Sequence, residues 1–171
     1  MMLAVGSKVI YPSQGPCHIC CVVRKVFNGS PMEFYHLVIL ANGGGELYIP
    51  VDKTQAVGVR PLLEKHEIPM LLEQLRSIAG IADNWRQRAL GNSKLVASGS
   101  AFDLAEVVKS LTELSETKAL SPRESQTLDK AKRLLVCEIA EVLREPREEV
   151  ERQVDEALQS AAGRRETCPR E

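Results

Sequence analysis

One tryptophan, Trp85, stands in the run Asp83-Asn84-Trp85-Arg86-Gln87-Arg88 of a 171-residue chain. Tryptophan usually lies in a core, because its large ring contributes strongly when buried. Here its neighbours are polar and basic, at what reads as a helix start, which suits a side chain that touches something else. A flat amphipathic ring beside Arg86 and Arg88 matches a minor-groove wedge: the ring presses on an unstacked base step while the cations hold phosphates. The other placement folds the ring over a neighbouring helix and leaves only its N–H at the surface.

Other chemistry-bearing residues point nowhere as definite. Cys17 and Cys20 have C-x-x-C spacing, but a zinc ribbon needs a second such pair, and Cys137 and Cys168 do not form one. The segment Pro16-Cys17-His18-Ile19-Cys20-Cys21-Val22-Val23 reads as a strand, on which positions three apart face opposite ways. Five cysteines, an odd number, argue against a disulfide framework. His18, His36 and His66 pair with no nucleophile or ligand cluster. Gly43-Gly44-Gly45 is a hairpin tip with no helix behind it to cradle a phosphate. Glu148 and Glu149 read as a solvated helix surface. No catalytic residue, metal or cofactor is expected, and the chain does not read as an enzyme.

The elements that must position Trp85 change character near residue 60. Residues 1–60 are strand-like, with turn punctuation at Pro12-Ser13-Gln14-Gly15, Asn28-Gly29-Ser30-Pro31 and Asn42-Gly43-Gly44-Gly45. Between the turns lie β-branched and aromatic runs at 8–11, 17–27, 34–40 and 46–49, followed by Ala56-Val57-Gly58-Val59-Arg60. This spacing predicts a small, curved antiparallel sheet or barrel. Asn28-Gly29 is a hairpin signal, because both residues tolerate positive φ. About 60 residues of β structure make a marginal core, so docking onto a partner is expected, and an exposed edge can pair with a partner's strand.

Residues 61–163 are helical, and 164–171 form a polar tail expected to be flexible. Ile68 to Ile78 is the first apolar stretch, with Pro69 in its first turn. Asp83 is placed to cap a second helix running to about Val96, and Ser100 a third. In that third helix Leu104, Val107, Val108, Leu111 and Leu114 fall on one stripe. Ser121-Pro122-Arg123-Glu124 is a capping box with proline at the first helical position. The helix behind it presents Leu128, Ala131, Leu135, Ile139 and Val142 on one face, and Pro146 restarts a last helix. The fold class is therefore α+β in two domains.

Charge limits the partners. The chain is 44% hydrophobic and 26% charged, ordinary for a soluble globular protein, and its net charge is −1, which excludes a basic nucleic-acid coat. Residues 1–60 hold five Lys/Arg against three Asp/Glu, and 61–171 hold seventeen against twenty. Nucleic-acid contact must be a local patch, weak alone, in a protein helped by a larger partner. No apolar run approaches the roughly 18 residues that span a bilayer. The start Met1-Met2-Leu3-Ala4-Val5-Gly6-Ser7-Lys8 lacks a signal peptide's layout, so a cytoplasmic location and no membrane are expected.

The order of a short barrel, then helices with a tryptophan at a basic helix start, resembles the CarD/CdnL family of bacterial transcription regulators. The matching strings are Val5-Gly6-Ser7-Lys8-Val9-Ile10-Tyr11-Pro12-Ser13-Gln14-Gly15 and Ile49-Pro50 through Val57-Gly58-Val59-Arg60. In the helical half they are Asn84-Trp85-Arg86-Gln87-Arg88, Leu104-Ala105-Glu106-Val107-Val108-Lys109, and Lys118-Ala119-Leu120-Ser121 leading to Ala131-Lys132-Arg133-Leu134-Leu135. Their order and spacing together carry the resemblance, over roughly residues 3 to 160.

The resemblance implies a Tudor-like N-terminal domain, residues 1–60, that adds its sheet edge to a strand of the RNA polymerase β subunit. It implies Lys25, Tyr48, Ile49 and Pro50 at that contact, with Tyr48 where some relatives have arginine. It implies that the helical domain, residues 61–163, sets Trp85 into the promoter minor groove at the upstream edge of the bubble, with Arg86 and Arg88 on DNA, and so stabilises the open complex. A basic residue common five positions after the tryptophan is Leu90 here. The expected state is a monomer at the nucleoid through polymerase, binding DNA weakly and without sequence preference alone. The alternative is an interaction module of the same fold that has lost productive DNA contact.

Overall fold

Alternation of inward and outward side chains builds the first half of the chain. The computed structural model describes residues 3–41, 43–78 and 84–166, without the side chains of Trp85, Arg165 and Glu166. The expected cap Asp83, the turn residue Asn42, Cys168 and the end of the tail at 167–171 lie outside the described residues. The chain divides into two compact units, Met1–Leu62 and Leu63–Glu171.

The first unit is a five-stranded antiparallel sheet. Its strands are β1 (Lys8–Tyr11), β2 (Gly15–Phe27), β3 (Ser30–Ile39), β4 (Glu46–Pro50) and β5 (Arg60–Pro61), in the order β4-β3-β2-β1-β5. One face buries Val9, Cys17, Ile19, Tyr35, Leu37 and Ile49. Tyr35 is tied down by its hydroxyl, which donates to the Leu3 carbonyl at 3.1 Å. The turn between β2 and β3 has Asn28 at φ 49° and Gly29 at φ 78°. Two consecutive positive φ values match the twist of the flanking strands, which is why this pair closes the hairpin.

Two local features depart from simple strand alternation. The β2–β3 register shifts between Ile19 and Cys21, so Cys20 is an extra residue at a bulge. Cys17 therefore stays in the core, while Cys21 pairs across to His36. The run Ala56 to Arg60, expected as strand, is mostly something else. A helical turn α1 (Thr54–Val57) ends on Gly58 at φ 86°, and only Arg60–Pro61 pairs in the sheet. Thr54 sets this locally: its hydroxyl donates to the Val51 carbonyl at 3.0 Å. Glycine at the left-handed position then stops the turn.

The second unit is helical: α2 (Ile68–Arg76), α3 (Trp85–Ser98), α4 (Ala101–Thr117), α5 (Pro122–Leu143) and α6 (Arg147–Glu166). The expected stripe on α4, Leu104 to Leu114, is buried and meets Leu71 and Leu75 of α2, Leu135 and Ile139 of α5, and Val150 and Val154 of α6 in one core. Each such side chain contributes about 1.5–3 kcal/mol when fully buried. Caps set the helix starts. Ser100 accepts from the Asp103 N–H, and Ser121 and Glu124 form the expected reciprocal box. At α3 the cap is Asn84, whose side chain accepts from the Arg86 N–H at 2.9 Å. α6 runs to Glu166, past the boundary expected at 163. Among the described residues, no helix is long and apolar enough to cross a membrane.

Candidate protein and nucleic-acid interfaces

On the sheet, β4 is an edge strand, and among the described residues no strand lies beyond its outer backbone groups. The register puts Tyr48 opposite His36 and Ile49 opposite Tyr35. Successive residues of a strand face opposite ways, which splits the expected contact residues. Ile49 faces the core and is 4% exposed, so only its backbone is available to a partner. Tyr48 faces out and is 45% exposed. Pro50, which ends β4, is half-buried and has no N–H to give, a residue tolerated at a sheet edge.

The fold brings Lys25 and Tyr48 together from β2 and β4. The Lys25 ammonium lies 3.8 Å from the centre of the Tyr48 ring. On this solvated face such a cation–π contact is worth about 0.5–1 kcal/mol. Tyr48 also stacks on His36, with ring centres 4.8 Å apart and planes 10° from parallel. His36 Nε2 lies 3.3 Å from a Glu46 carboxylate oxygen. A row of Lys25, Tyr48, His36 and Glu46 thus borders the open edge. Sequence reasoning found its first two members and missed the others; aligning β4 against β3 across the glycine-rich turn is the signal that reveals them.

The arginines of α3 separate in the same way. Arg86 is exposed in the first turn. Arg88 points inward: its side chain is 8% exposed, and Nη2 lies 3.6 Å from Glu124 Oε1, whose side chain is 15% exposed. Its guanidinium, expected on DNA, lies against Glu124 of α5 in this structure. Arg88 instead fastens the start of α3 to the start of α5. Glu124 is held by more than Arg88: the Ser121 N–H donates to it at 2.9 Å and the Ser121 hydroxyl at 2.8 Å. The Ser121 backbone bond lowers the Glu124 pKa, and Arg88 and Lys118 lower it further. Glu124 was legible as a cap but not as a partner of Arg88, since 36 positions and another helix separate them.

The remaining face of α3 is solvent-exposed at Arg86, Gln87, Leu90, Ser93, Lys94, Ala97 and Ser98. Leu90 is 61% exposed. Trp85 is the first residue of this helix, and its side chain lies outside the described residues.

The described thiols are free. Burial pushes the Cys17 thiol up to about 11, and burial raises Cys137 as well, the behaviour of packed apolar side chains. Among the described residues, no group of three His, Cys, Asp or Glu side chains could hold a metal.

Comparison with known proteins follows the same division of the chain. Residues 3–63 match the CarD-like/TRCF RID domain, and residues 71–155 match the C-terminal domain of CarD. The chain belongs to the CarD family. A relative in Bacillus subtilis (strain 168), named "Putative transcription factor YdeB", is 25% identical over 141 residues, covering 81% of this chain and 90% of the relative. The CarD family is a transcription-factor type rather than an enzyme family, and its two domain matches correspond to the sheet and helical units.

Proposed function

We propose that this CarD-family chain binds the RNA polymerase β subunit through the β4 edge and stabilises the promoter open complex through Trp85. The observation that carries the first half is the open edge strand bordered by Lys25 and Tyr48. A partner strand gains main-chain hydrogen bonds along β4, and side chains of alternate residues give selectivity. Lys25 and Tyr48 act as one unit, because the ring limits the lysine's motion and presents its charge at the edge. Ile49 acts through its backbone and through the core that holds β4 straight. Pro50 ends the pairing.

The second half is supported by the helix that begins at Trp85. Its first turn carries no acid, and its N-terminus favours anions. A ring there wedges a minor-groove base step while Arg86 reaches a phosphate. One exposed arginine gives little affinity, so polymerase supplies the local concentration that keeps the wedge at the bubble edge. The chain bound in this way resists bubble collapse at the upstream end of the promoter.

A second reading, a protein-binding module without DNA contact, is favoured by Arg88 being engaged with Glu124 and by the exposed Leu90. Open-complex lifetime under competitor challenge separates the two. With full-length Trp85→Ala, the wedge reading expects normal retention of the β subunit and a shortened lifetime. An unchanged lifetime refutes the wedge and leaves the module. Loss of retention by Trp85→Ala refutes the division of labour between the two units.

A further inference from the structure

We infer that Cys21 is a modification site: with His36 as its base, its thiol exchanges with low-molecular-weight disulfides and carries the mixed-disulfide adduct on the outward face of the sheet.

A bulge puts the thiol there. Ile19 of β2 lies in the core, and in regular alternation Cys21, two positions on, would face the core as well. The extra residue Cys20 resets the alternation, so Cys21 pairs with His36 in place of the buried Tyr35. His36 in turn pairs with Tyr48 of β4. Cys21, His36 and Tyr48 therefore form one cross-strand row on the outward face. Cys17, which stays on the core side of β2, is the contrast: burial pushes its thiol up to about 11, which leaves it an inert packing group.

The row has the parts of an activated nucleophile. Cys21 Sγ lies 3.9 Å from His36 Nδ1, and the opposite ring nitrogen, Nε2, lies 3.3 Å from Glu46 Oε2. With the ring proton on Nε2, toward Glu46, Nδ1 can accept the thiol proton. A thiol, an imidazole and a carboxylate at the far ring nitrogen is the arrangement that orients a base and steadies its cation. Tyr48, stacked on the imidazole at 4.8 Å between centres, holds the plane of the ring. The sulfur of Cys21 is half-buried, within reach of a small reagent, whereas Cys17 and Cys137 are buried.

Exchange needs no reagent beyond the disulfide itself. The Cys21 proton passes to His36 Nδ1, and the sulfur attacks one sulfur of the disulfide. A new S–S bond forms as the old one breaks. Cys21 is oxidised, the departing sulfur is reduced, and the departing thiolate takes the proton from His36. The products are the mixed disulfide on Cys21 and one free thiol. The adduct stands against the imidazole on which Tyr48 stacks, and Tyr48 in turn holds Lys25. Modification therefore weakens retention of the β subunit, a consequence that rests on the polymerase-binding reading of the β4 edge.

The test treats full-length Cys20→Ser protein, in which Cys21 is the remaining half-buried thiol of β2, with oxidised glutathione. Peptide mass spectrometry reads the rate of adduct formation on Cys21. His36→Ala is expected to slow that rate at least about tenfold, below the roughly 100-fold of a closely held base. Added imidazole is expected to restore part of it, which it would not do for a merely structural histidine. Glu46→Gln, at an exposed side chain, is expected to slow the rate by less and to melt normally, so it carries the test if His36→Ala does not fold. In full-length Cys21→Ser protein, adduct formation on Cys20 should be indifferent to His36→Ala. The Cys21 adduct is expected to hold the β subunit about 2- to 5-fold less tightly, the range for losing an exposed cation–π contact, and dithiothreitol should restore it.

No adduct on Cys21, or an unchanged rate in both His36→Ala and Glu46→Gln, overturns the site. So does imidazole that speeds Cys20 as much as Cys21. If Cys21 reacts as expected and its adduct leaves retention unchanged while Lys25→Glu lowers it, the edge reading stands and the effect of the adduct on it is overturned. If neither the adduct nor Lys25→Glu lowers retention, the edge reading fails and the modification site stands.

Discussion

Replacing Glu124 with glutamine separates the two roles that Arg88 could have. Glutamine keeps an oxygen for the Ser121 N–H, so the capping box survives in outline while the charge opposite Arg88 disappears. Breaking a fully buried ion pair costs about 3–5 kcal/mol. This pair costs less, because its 3.6 Å separation exceeds a hydrogen bond and both side chains retain some exposure. About 1–2 kcal/mol is reasonable, with about 0.3–1 kcal/mol more for removing an anion from the first turn of α5. The total is about 2 kcal/mol. The helical unit, Leu63–Glu171, is near the size at which 1 kcal/mol moves the melting temperature by about 4 °C. Glu124→Gln is therefore expected to melt about 8 °C lower.

Acid provides a second handle on the same residue. The folded Glu124 carboxyl titrates below its ordinary value of 4.5, first because the Ser121 N–H bonds its charged form. Its stabilisation is thus fully present above 4.5 and is lost as pH falls through the lower folded value. The gap between wild type and Glu124→Gln should be constant near neutrality and close below 4.5. A double-mutant cycle with Arg88→Met should give a coupling of at least about 0.5 kcal/mol. A Glu124→Gln melting curve that overlays wild type, together with an Arg88→Ala variant that melts normally but loses salt-dependent DNA affinity, would refute the clasp and return Arg88 to the DNA.

Trp85→Ala should shorten open-complex lifetime roughly 5- to 150-fold, the range for losing a stacking contact of about 1–3 kcal/mol, and leave melting nearly unchanged; a collapse in melting temperature would mean a core tryptophan instead, since that truncation costs about 3–5 kcal/mol of stability. Lys25→Glu and Tyr48→Ala should each weaken retention of the β subunit by full-length protein without unfolding the sheet, and normal retention by both would remove the β4 edge from consideration. Alkylation of the native protein should spare Cys17 and Cys137 and reach the half-exposed Cys20 and Cys21 first, as read by peptide mass spectrometry; early modification of Cys17 would contradict its place in the core.

The sequence determined what depends on neighbours along the chain. Asn28-Gly29 marked the hairpin because positive φ is a property of those residues. Ser121 to Glu124 marked a helix start because all of the box lies within one turn. The α4 stripe showed its buried face because helical spacing repeats locally. The change of character near residue 60 and the family motifs were legible for the same reason. The run from Ala56 to Arg60 misled because its β-branched residues favour strands, while Thr54 and Gly58 set a helical turn around them. Only tertiary structure decided which charges are available. Whether Arg86 or Arg88 reaches solvent depends on how α3 is rotated against α4 and α5, and the partner that turns Arg88 inward, Glu124, lies on another helix. The contact of Lys25 with Tyr48 likewise needs β3 between their strands. Ionic and aromatic contacts of this kind are set by distances in space, and residues far apart in the chain come that close only after the hydrophobic faces have packed.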